Sequence, residues 1–166
     1  LSVKLNIMMP KIKAILFDLD NTLIDFMRMK RAASSAAIDA MIENGLSVPR
    51  EEAEKALWDL YGTHGIENQE IFQPLLKKLT GEVDYRLMAC GIVAYRKAKE
   101  SLQYTYPQAA FVLRELRKRG YKLAIVSDAP KLQAWLRLVA LGLHNEFDLV
   151  LTLDDTHALK PEGVHF

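Results

Sequence analysis

The sequence predicts an α/β fold in which a parallel sheet carries an inserted all-helical segment. Three short apolar runs, at residues 12–17, 121–126 and 147–153, are each followed directly by polar residues. Runs of this kind are typical of buried strands in parallel sheets. Helical patterns separate the runs, and this alternation favours right-handed βαβ units. The stretch 25–103, between the first and second runs, contains only helical patterns and indicates the insertion.

Bulk composition is that of an ordinary globular protein. The chain has 166 residues, half of them apolar, and 22 basic against 21 acidic side chains give a net charge of +1. This balance creates no global field that would attract nucleic acid or an anionic membrane, so we expect neither as a partner. Cys90 is the single cysteine, so no disulfide within the chain is expected. The prefix before the first strand is too short for a signal peptide, and no apolar run approaches the roughly 20 residues of a membrane span. We therefore expect a cytoplasmic protein.

The first strand ends in two carboxylates that are one residue apart. Asp18 and Asp20 follow the run 12–17 directly, and a parallel strand presents such groups at its carboxyl end, where open α/β sheets bind ligands. The alternative is that these acids form a turn, or that Asp18, Asn21 or Asp25 caps a helix without a chemical role.

Four helical patterns fill the insertion. The first is predicted to run from Asp25 to Gly45 and the second from the segment at Ser47 to Gly62. The third is predicted to run from Asn68 to Gly81, and the fourth from Asp84 to a basic tail of Arg96, Lys97 and Lys99. No convincing strand pattern interrupts them.

Two further helices and two strands complete the prediction. The helices run from Pro107 to Gly120 and from Pro130 to Gly142. The second of these helices carries five large apolar residues: Leu132, Trp135, Leu136, Leu138 and Val139. The second strand ends in Ser127 and the third near Asp154 and Asp155. Because parallel strands end at one edge of a sheet, these residues should share a rim with Asp18 and Asp20.

Residues at this rim have the chemistry of phosphate-ester hydrolysis. A strand-end carboxylate can attack phosphorus, and a second carboxylate can protonate the leaving alkoxide and then take a proton from water. Acids crowded around a phosphate imply a Mg²⁺ ion. Ser127 can donate to a phosphate oxygen and Lys160 can balance negative charge. Taken alone, Ser127 is a common turn residue and Lys160 a common solvated lysine.

Three segments resemble motifs of the haloacid dehalogenase (HAD) superfamily, in its phosphatase branch. The first is Phe-Asp-Leu-Asp-Asn-Thr-Leu at 17–23, the second is Ile-Val-Ser at 125–127, and the third is Lys160-Pro161 with Phe166. The resemblance covers residue 11 to the last residue. It implies a Rossmann-like core made of 11–24 and 104–166, and a helical cap of the C1 type at 25–103 that closes over the site and selects the substrate.

The resemblance also implies a role for each site residue. Asp18 would be the nucleophile, Asp20 the general acid and base, and Ser127 and Lys160 the phosphate-binding residues. The Asp18 side chain and the Asp20 main-chain carbonyl would hold Mg²⁺. The implied function is hydrolysis of a small phosphomonoester, a phosphorylated metabolite, through an aspartyl-phosphate. Three alternatives stay open: a 2-haloacid dehalogenase, a phosphomutase, and a non-catalytic protein that binds a partner through its helical insertion or sheet edge.

The family's fourth motif, an acidic cluster after a fourth strand, has no match in this sequence. Asp154 and Asp155 precede the lysine, so we expect them to be loop acids. We therefore expect a core that is incomplete at its C-terminal side, with 12–17 as an exposed edge. Such a chain is either a piece of a longer phosphatase or one whose edge pairs with another copy, through homo-oligomerisation or strand exchange.

Overall fold

The structure is a computed structural model that describes residues 12–161. Three parallel strands form its sheet in the order β1-β2-β3: β1 is Ala14–Phe17, β2 is Lys122–Val126 and β3 is Leu149–Leu151. In the register, Leu16 lies beside Ala124, which in turn lies beside Leu149. The predicted α/β class with a parallel sheet is confirmed. Residue 11 and Phe166, which belong to the predicted core and third motif, lie outside the described residues.

Helices occupy most of the remaining chain. They are α1 (Phe26–Glu43), α2 (Arg50–His64), α3 (Phe72–Thr80), α4 (Tyr85–Leu102), α5 (Ala109–Lys118), α6 (Lys131–Ala140) and the short α7 (Leu153–Thr156). The first four lie between β1 and β2, so the insertion is helical as predicted. Within residues 12–161, no helix is both long and apolar enough to cross a bilayer.

Apolar side chains gather in two main clusters. The cluster inside the helical insertion includes Ile38, Met41, Leu57, Leu75 and Leu76, all fully buried. The cluster on the sheet includes Leu19, Leu113, Leu123, Ile125 and Leu138, which are also fully buried. A smaller group around Ile24, Phe26 and Met29 lies where the chain passes from one cluster to the other. Each buried side chain of this size contributes roughly 1.5–3 kcal/mol of transfer free energy, so both parts are stabilised mainly by their own cores.

Carboxylate caps begin two of the inserted helices where the sequence predicts them. Asp25 Oδ1 accepts a hydrogen bond from the Arg28 amide at 3.2 Å, at the start of α1. Asp84 Oδ1 accepts from the amides of Arg86 and Leu87 at 2.8 and 3.1 Å, at the start of α4. These bonds satisfy amides that have no partner inside the helix.

Three predicted boundaries are wrong. Helix α2 runs through Gly62 and ends at His64, just before Gly65, whose φ of 87° is a conformation that glycine adopts more readily than other residues. Asn68 accepts a hydrogen bond from the Glu70 amide in the turn before α3, and does not cap that helix. Strand β3 is shorter than predicted because Thr152 instead caps α7, donating to Asp155 Oδ2 from both its amide and its hydroxyl.

Helix α6 exposes four of the five large apolar residues that it carries. Leu132, Leu136 and Val139 are 68%, 50% and 56% exposed, and Trp135 is partly exposed too. The helix instead buries Ala134, Arg137 and Leu138, which share one face at helical spacing. Ala134 and Leu138 join the apolar cluster on the sheet, and Arg137 contacts Asp20 at the end of β1 and Glu67 in the loop between α2 and α3.

Strand β1 lies at one edge of the sheet formed by the described residues, where it pairs with β2. Ile12 and Leu16 on this edge are largely exposed. An exposed apolar edge can pair with another strand, so pairing with a second copy stays a prediction.

A matched pair of glycine substitutions tests how closely α1 and α4 pack. A Cβ at Gly62 would meet no atom within 4 Å, whereas a Cβ at Gly91 would lie 2.0 Å from Met41 Cε. Gly62→Ala should raise the free energy of unfolding by about 0.5–1 kcal/mol, because alanine favours helix more than glycine does. Gly91→Ala should lose that gain or lower stability, because buried Met41 must move. Urea unfolding of both variants checks this, and equal changes in the two would contradict it.

Candidate active site

The carboxyl ends of β1 and β2 and the segment after α7 enclose a cavity of about 270 Å³. All four residues that the sequence proposes for the site line it: Asp18, Asp20, Ser127 and Lys160. The other polar lining residues are Asn21, Glu67 and Asp128, and the apolar ones are Phe26, Met27, Ile66 and Ala129. Residues that precede and follow the helical insertion in the sequence therefore line the same cavity.

Asp18 and Lys160 form an ion pair in this cavity. Lys160 Nζ donates to Asp18 Oδ1 at 2.6 Å, and Thr22 Oγ1 donates to Asp18 Oδ2 at 3.0 Å. Lys160 is itself held at the end of β2, since its Nζ also donates to the Val126 carbonyl and its amide to Asp128 Oδ1. The Asp18 side chain is 37% exposed, so a ligand can reach its oxygens. These contacts fix the orientation of the carboxylate while leaving it accessible.

Ser127 is almost fully buried at the end of β2. Its amide donates to the Leu151 carbonyl, and its hydroxyl oxygen accepts from the Ala129 amide at 3.2 Å. No described residue accepts its hydroxyl proton. The hydroxyl is thus oriented by its neighbours and able to donate to a ligand in the cavity.

Asp20 is more deeply buried than Asp18 and has a different partner. Arg137 Nη1 donates to Asp20 Oδ2 at 2.8 Å, whereas no described residue lies within hydrogen-bonding distance of the buried Oδ1. Burial raises the pKa of Asp20 to about 6, and the nearby charges of Glu67 and Asp18 act in the same direction, against the lowering effect of Arg137 and Lys160. A carboxyl group with such a pKa can carry a proton near neutral pH and donate it.

Arg137 connects two parts of the chain through its guanidinium. From α6 it binds Asp20, and its Nη2 contacts Glu67 in the loop between α2 and α3. Its guanidinium carbon also lies 4.5 Å from the ring centroid of Phe26. Since Arg137 is 1% exposed, these contacts replace water at its two terminal nitrogens, while the buried Nε has no partner among the described residues.

Sequence reasoning missed Arg137, Glu67 and Asp128. The one available signal for Arg137 was its position between Ala134 and Leu138, as a charged residue within an apolar stretch of a helix. Asp128 had the signal that also identified Ser127, since it follows the end of the second strand, whereas Glu67 lies in an ordinary polar loop and had none. Their proximity to the site depends on the tertiary fold.

Asp154 and Asp155 do not line the cavity, although they follow the third strand. Asp154 Oδ2 accepts from the Lys131 amide and Asp155 Oδ1 from Lys131 Nζ, both at 2.6 Å. They stabilise the start of α6.

Oxygen donors in the cavity fit a magnesium ion. In the part of the chain from 12 to 161, no three His, Cys, Asp or Glu side chains form a complete metal site. Mg²⁺ usually needs only one or two protein carboxylates, with water and substrate phosphate supplying the rest. The carboxylates of Asp18, Asp20 and Asp128 line one space, and Asp20 Oδ1 has no partner among the described residues.

A second buried cation, Lys30, lies on α1 one helical turn beyond Phe26. Its Nζ is 4.1 Å from the ring centroid of Tyr61 and 5.3 Å from that of Tyr95. No described residue forms an ion pair with it or accepts a hydrogen bond from it. Burial lowers the pKa of Lys30 to about 8; the charge of Glu67 opposes this, and Lys99 and Arg137 add to it.

Two carboxylates, a serine and a lysine surround one cavity at the strand ends of a parallel sheet. This arrangement is the one expected for the class of hydrolase whose motifs the sequence resembles. The chain belongs to the haloacid dehalogenase-like hydrolase family, whose model matches residues 12–166. It is 34% identical over 150 residues to the glyceraldehyde 3-phosphate phosphatase of Methanothermobacter thermautotrophicus, a match that covers 90% of this chain. The chain spans 66% of the length of that relative.

Solved structures support the same fold. The HAD phosphatase of Thermococcus onnurineus is 29% identical with a TM-score of 0.57, over 91% of this chain and 66% of that one. The L-2-haloacid dehalogenase of Xanthobacter autotrophicus has a TM-score of 0.52 at 24% identity, over 93% of this chain and 62% of that one. The second likeness concerns the fold alone.

Replacing Arg137 should strongly destabilise the protein. Arg137→Met leaves Asp20 and Glu67 facing each other without a cation, so the free energy of unfolding should fall by about 3–5 kcal/mol. Adding Glu67→Gln should restore part of this loss, because one of the two opposed charges is removed. Urea denaturation measures both effects. Lys118→Met breaks an exposed ion pair with Glu115 and serves as the control, with an expected change below about 1 kcal/mol.

The lowered pKa of Lys30 predicts a pH-dependent effect on stability. Between pH 8 and about 10.5 the unfolded chain keeps the Lys30 proton while the folded chain loses it, so native stability rises with pH over this window. Lys30→Met removes this pH-dependent contribution to the free energy of unfolding. Its stability relative to the unsubstituted protein should therefore fall by about 2–3 kcal/mol between pH 7 and pH 10. Urea unfolding at both pH values measures the change, and a pH-independent difference would contradict it. Lys97→Met, at an exposed site on α4, should show no such trend.

Proposed function

We propose that this chain carries the catalytic machinery of a magnesium-dependent phosphatase that hydrolyses a small phosphomonoester through an aspartyl-phosphate. The observation that carries the proposal is the pairing of Asp18 with Lys160 in the cavity that Asp20 and Ser127 also line. Membership of the hydrolase family and similarity to a protein named a phosphatase support it.

In the first step, an oxygen of Asp18 attacks the phosphorus of the substrate. The bond between phosphorus and the ester oxygen breaks, and Asp20 donates its proton to that leaving oxygen, so an alcohol is released. A pKa of about 6 suits Asp20 to this role, because a substantial fraction of the group is protonated near neutral pH.

In the second step, water attacks the phosphorus of the aspartyl-phosphate. Asp20, now ionised, takes a proton from the water, and the Asp18 carboxylate leaves as inorganic phosphate forms. Asp18 and Asp20 are both regenerated for another cycle.

Ser127 and Lys160 would bind the phosphoryl oxygens in both steps. The serine hydroxyl donates a hydrogen bond and the lysine ammonium balances negative charge. Magnesium, held by the Asp18 carboxylate and the Asp20 main-chain carbonyl, would neutralise charge on the phosphate when bound.

The substrate we propose is a small phosphorylated metabolite such as a triose phosphate. A cavity of about 270 Å³ suits a molecule of this size, and the relative named above acts on glyceraldehyde 3-phosphate. We also propose that 25–103 is a C1-type cap on a core of 11–24 and 104–166, since each part has its own apolar cluster. A cytoplasmic location stays a prediction.

Three alternatives have weaker support. A dehalogenase shares the nucleophile but has no need of a protonatable second acid, and a phosphomutase would use the same pair of aspartates. A non-catalytic role in binding another chain is favoured only by the exposed edge of β1, at Ile12 and Leu16.

Replacing the nucleophile tests the mechanism. Asp18→Asn should reduce magnesium-dependent hydrolysis of p-nitrophenyl phosphate and of glyceraldehyde 3-phosphate by at least about 1000-fold, because a neutral amide cannot form the covalent intermediate. Removal of magnesium by EDTA should have a similar effect on the unsubstituted protein.

A matched control is Asp25→Asn, the same chemical change at the cap of α1. Asparagine caps helices as well as aspartate does, so this variant should keep its activity. Activity that survives Asp18→Asn would reject Asp18 as the nucleophile. Activity that survives EDTA would reject the requirement for magnesium.

A further inference from the structure

A second cavity, of about 190 Å³, lies within the helical insertion, on the other side of the α2–α3 loop from the candidate active site. Helices α2, α3 and α4 and that loop form its walls. Its polar lining residues are Tyr61, Asn68, Gln69, Tyr95, Arg96 and Lys99. None of its lining residues is acidic.

The cations of this cavity lack acidic partners. Among residues 12–161, neither Arg96 nor Lys99 forms an ion pair or a side-chain hydrogen bond. Glu70 in the adjacent depression is exposed and does not line this cavity. The cavity therefore carries uncompensated positive charge.

Lys30 adds a third positive charge behind the aromatic wall. The two rings that its ammonium faces, those of Tyr61 and Tyr95, both line the cavity. Lys30 is 2% exposed, and Glu67, the acid whose charge acts on it, is already bound to Arg137. A buried ammonium without a carboxylate partner is costly, so this arrangement favours the arrival of an anion.

An ordinary structural role explains part of this pattern but not all of it. Basic residues near the end of a helix complement its dipole, and Arg96 and Lys99 lie towards the end of α4. Side chains that do only this normally remain in water. Arg96 is exposed in this way, whereas Lys99 is half-buried. Burial, followed by the charge of Arg137, lowers the pKa of Lys99 against the opposing charge of Glu67.

We propose that this cavity is a binding site for an anionic oxygen group, a carboxylate or phosphate of a small metabolite, separate from the site at Asp18 and Lys160. Arg96 and Lys99 supply the charge, and the side-chain amides of Asn68 and Gln69 supply neutral donors. The anion is either a second small molecule or the far end of a substrate whose phosphate lies at Asp18.

NMR spectroscopy can locate the site directly in a chain of this size. Inorganic phosphate and malonate, added separately to ¹⁵N-labelled protein, should shift the amide signals of Asn68, Gln69 and Lys99 saturably. The double variant Arg96→Met/Lys99→Met should bind both probes at least about tenfold more weakly at these signals. Lys97→Met, on the same helix but outside the cavity, should bind them as the unsubstituted protein does.

Several outcomes would overturn the proposal. The first is an absence of shifts at these amides. The second is unchanged binding in the double variant, and the third is a response restricted to residues around Asp18 and Ser127. Because the readout is binding, it does not depend on catalysis, and magnesium-dependent hydrolysis of p-nitrophenyl phosphate tests the proposed function separately.

A pair of substrates distinguishes the two sources of the anion. 3-Phosphoglycerate and glycerol 3-phosphate share the phosphate end and differ in a carboxylate at the other end. If the double variant lowers kcat/KM for 3-phosphoglycerate alone, the cavity binds the far end of the substrate. If it alters neither rate constant but abolishes the shifts with phosphate and malonate, the cavity binds a separate anion. Both results support the site.

Discussion

The arrangement of the candidate site depends on one buried guanidinium. Arg137 lies on the face of α6 that packs on the sheet. Moving its charge out of water costs free energy, and this cost is offset only if acidic groups pair with the guanidinium. Asp20 does so from the end of β1 and Glu67 from the loop between α2 and α3. The same contact turns the apolar residues of α6 outward and brings the helical insertion to the edge of the cavity.

Two aspartates with one residue between them acquire different chemistry from their surroundings. Asp18 pairs with Lys160 in a partly open position, where its oxygens are oriented and reachable. Asp20 is buried beside Arg137 and near Glu67, and burial outweighs the nearby cations so that its pKa rises. Pairs of acids whose environments differ in this way commonly divide the roles of nucleophile and proton donor. The division arises from burial, since the residue type is the same.

Local patterns predicted those features that depend on neighbours in the sequence. The strands and their polar ends follow from short apolar runs, and Asp18, Asp20 and Ser127 meet because parallel strands end at one edge. The third motif of the resemblance pointed to Lys160. Arg137 and Glu67 could not be predicted in this way, because neither follows a strand or belongs to a recognisable motif, and their contact depends on how α6 and the α2–α3 loop pack. The end of α2 was misplaced for a related reason: glycine within a helix costs only about 1 kcal/mol, which packing elsewhere can outweigh.

The charges between the two cavities suit an anionic ligand, although the whole chain is nearly neutral. Of the acids in this region, Asp20 and Glu67 are both bound to Arg137. Lys30 and Lys99 remain without partners among the described residues, so the cap side has an excess of positive charge. Local charge in a partly buried region acts over short distances and is weakly screened by salt. An anion bound beside Arg96 and Lys99 would supply negative charge that this side of the insertion lacks.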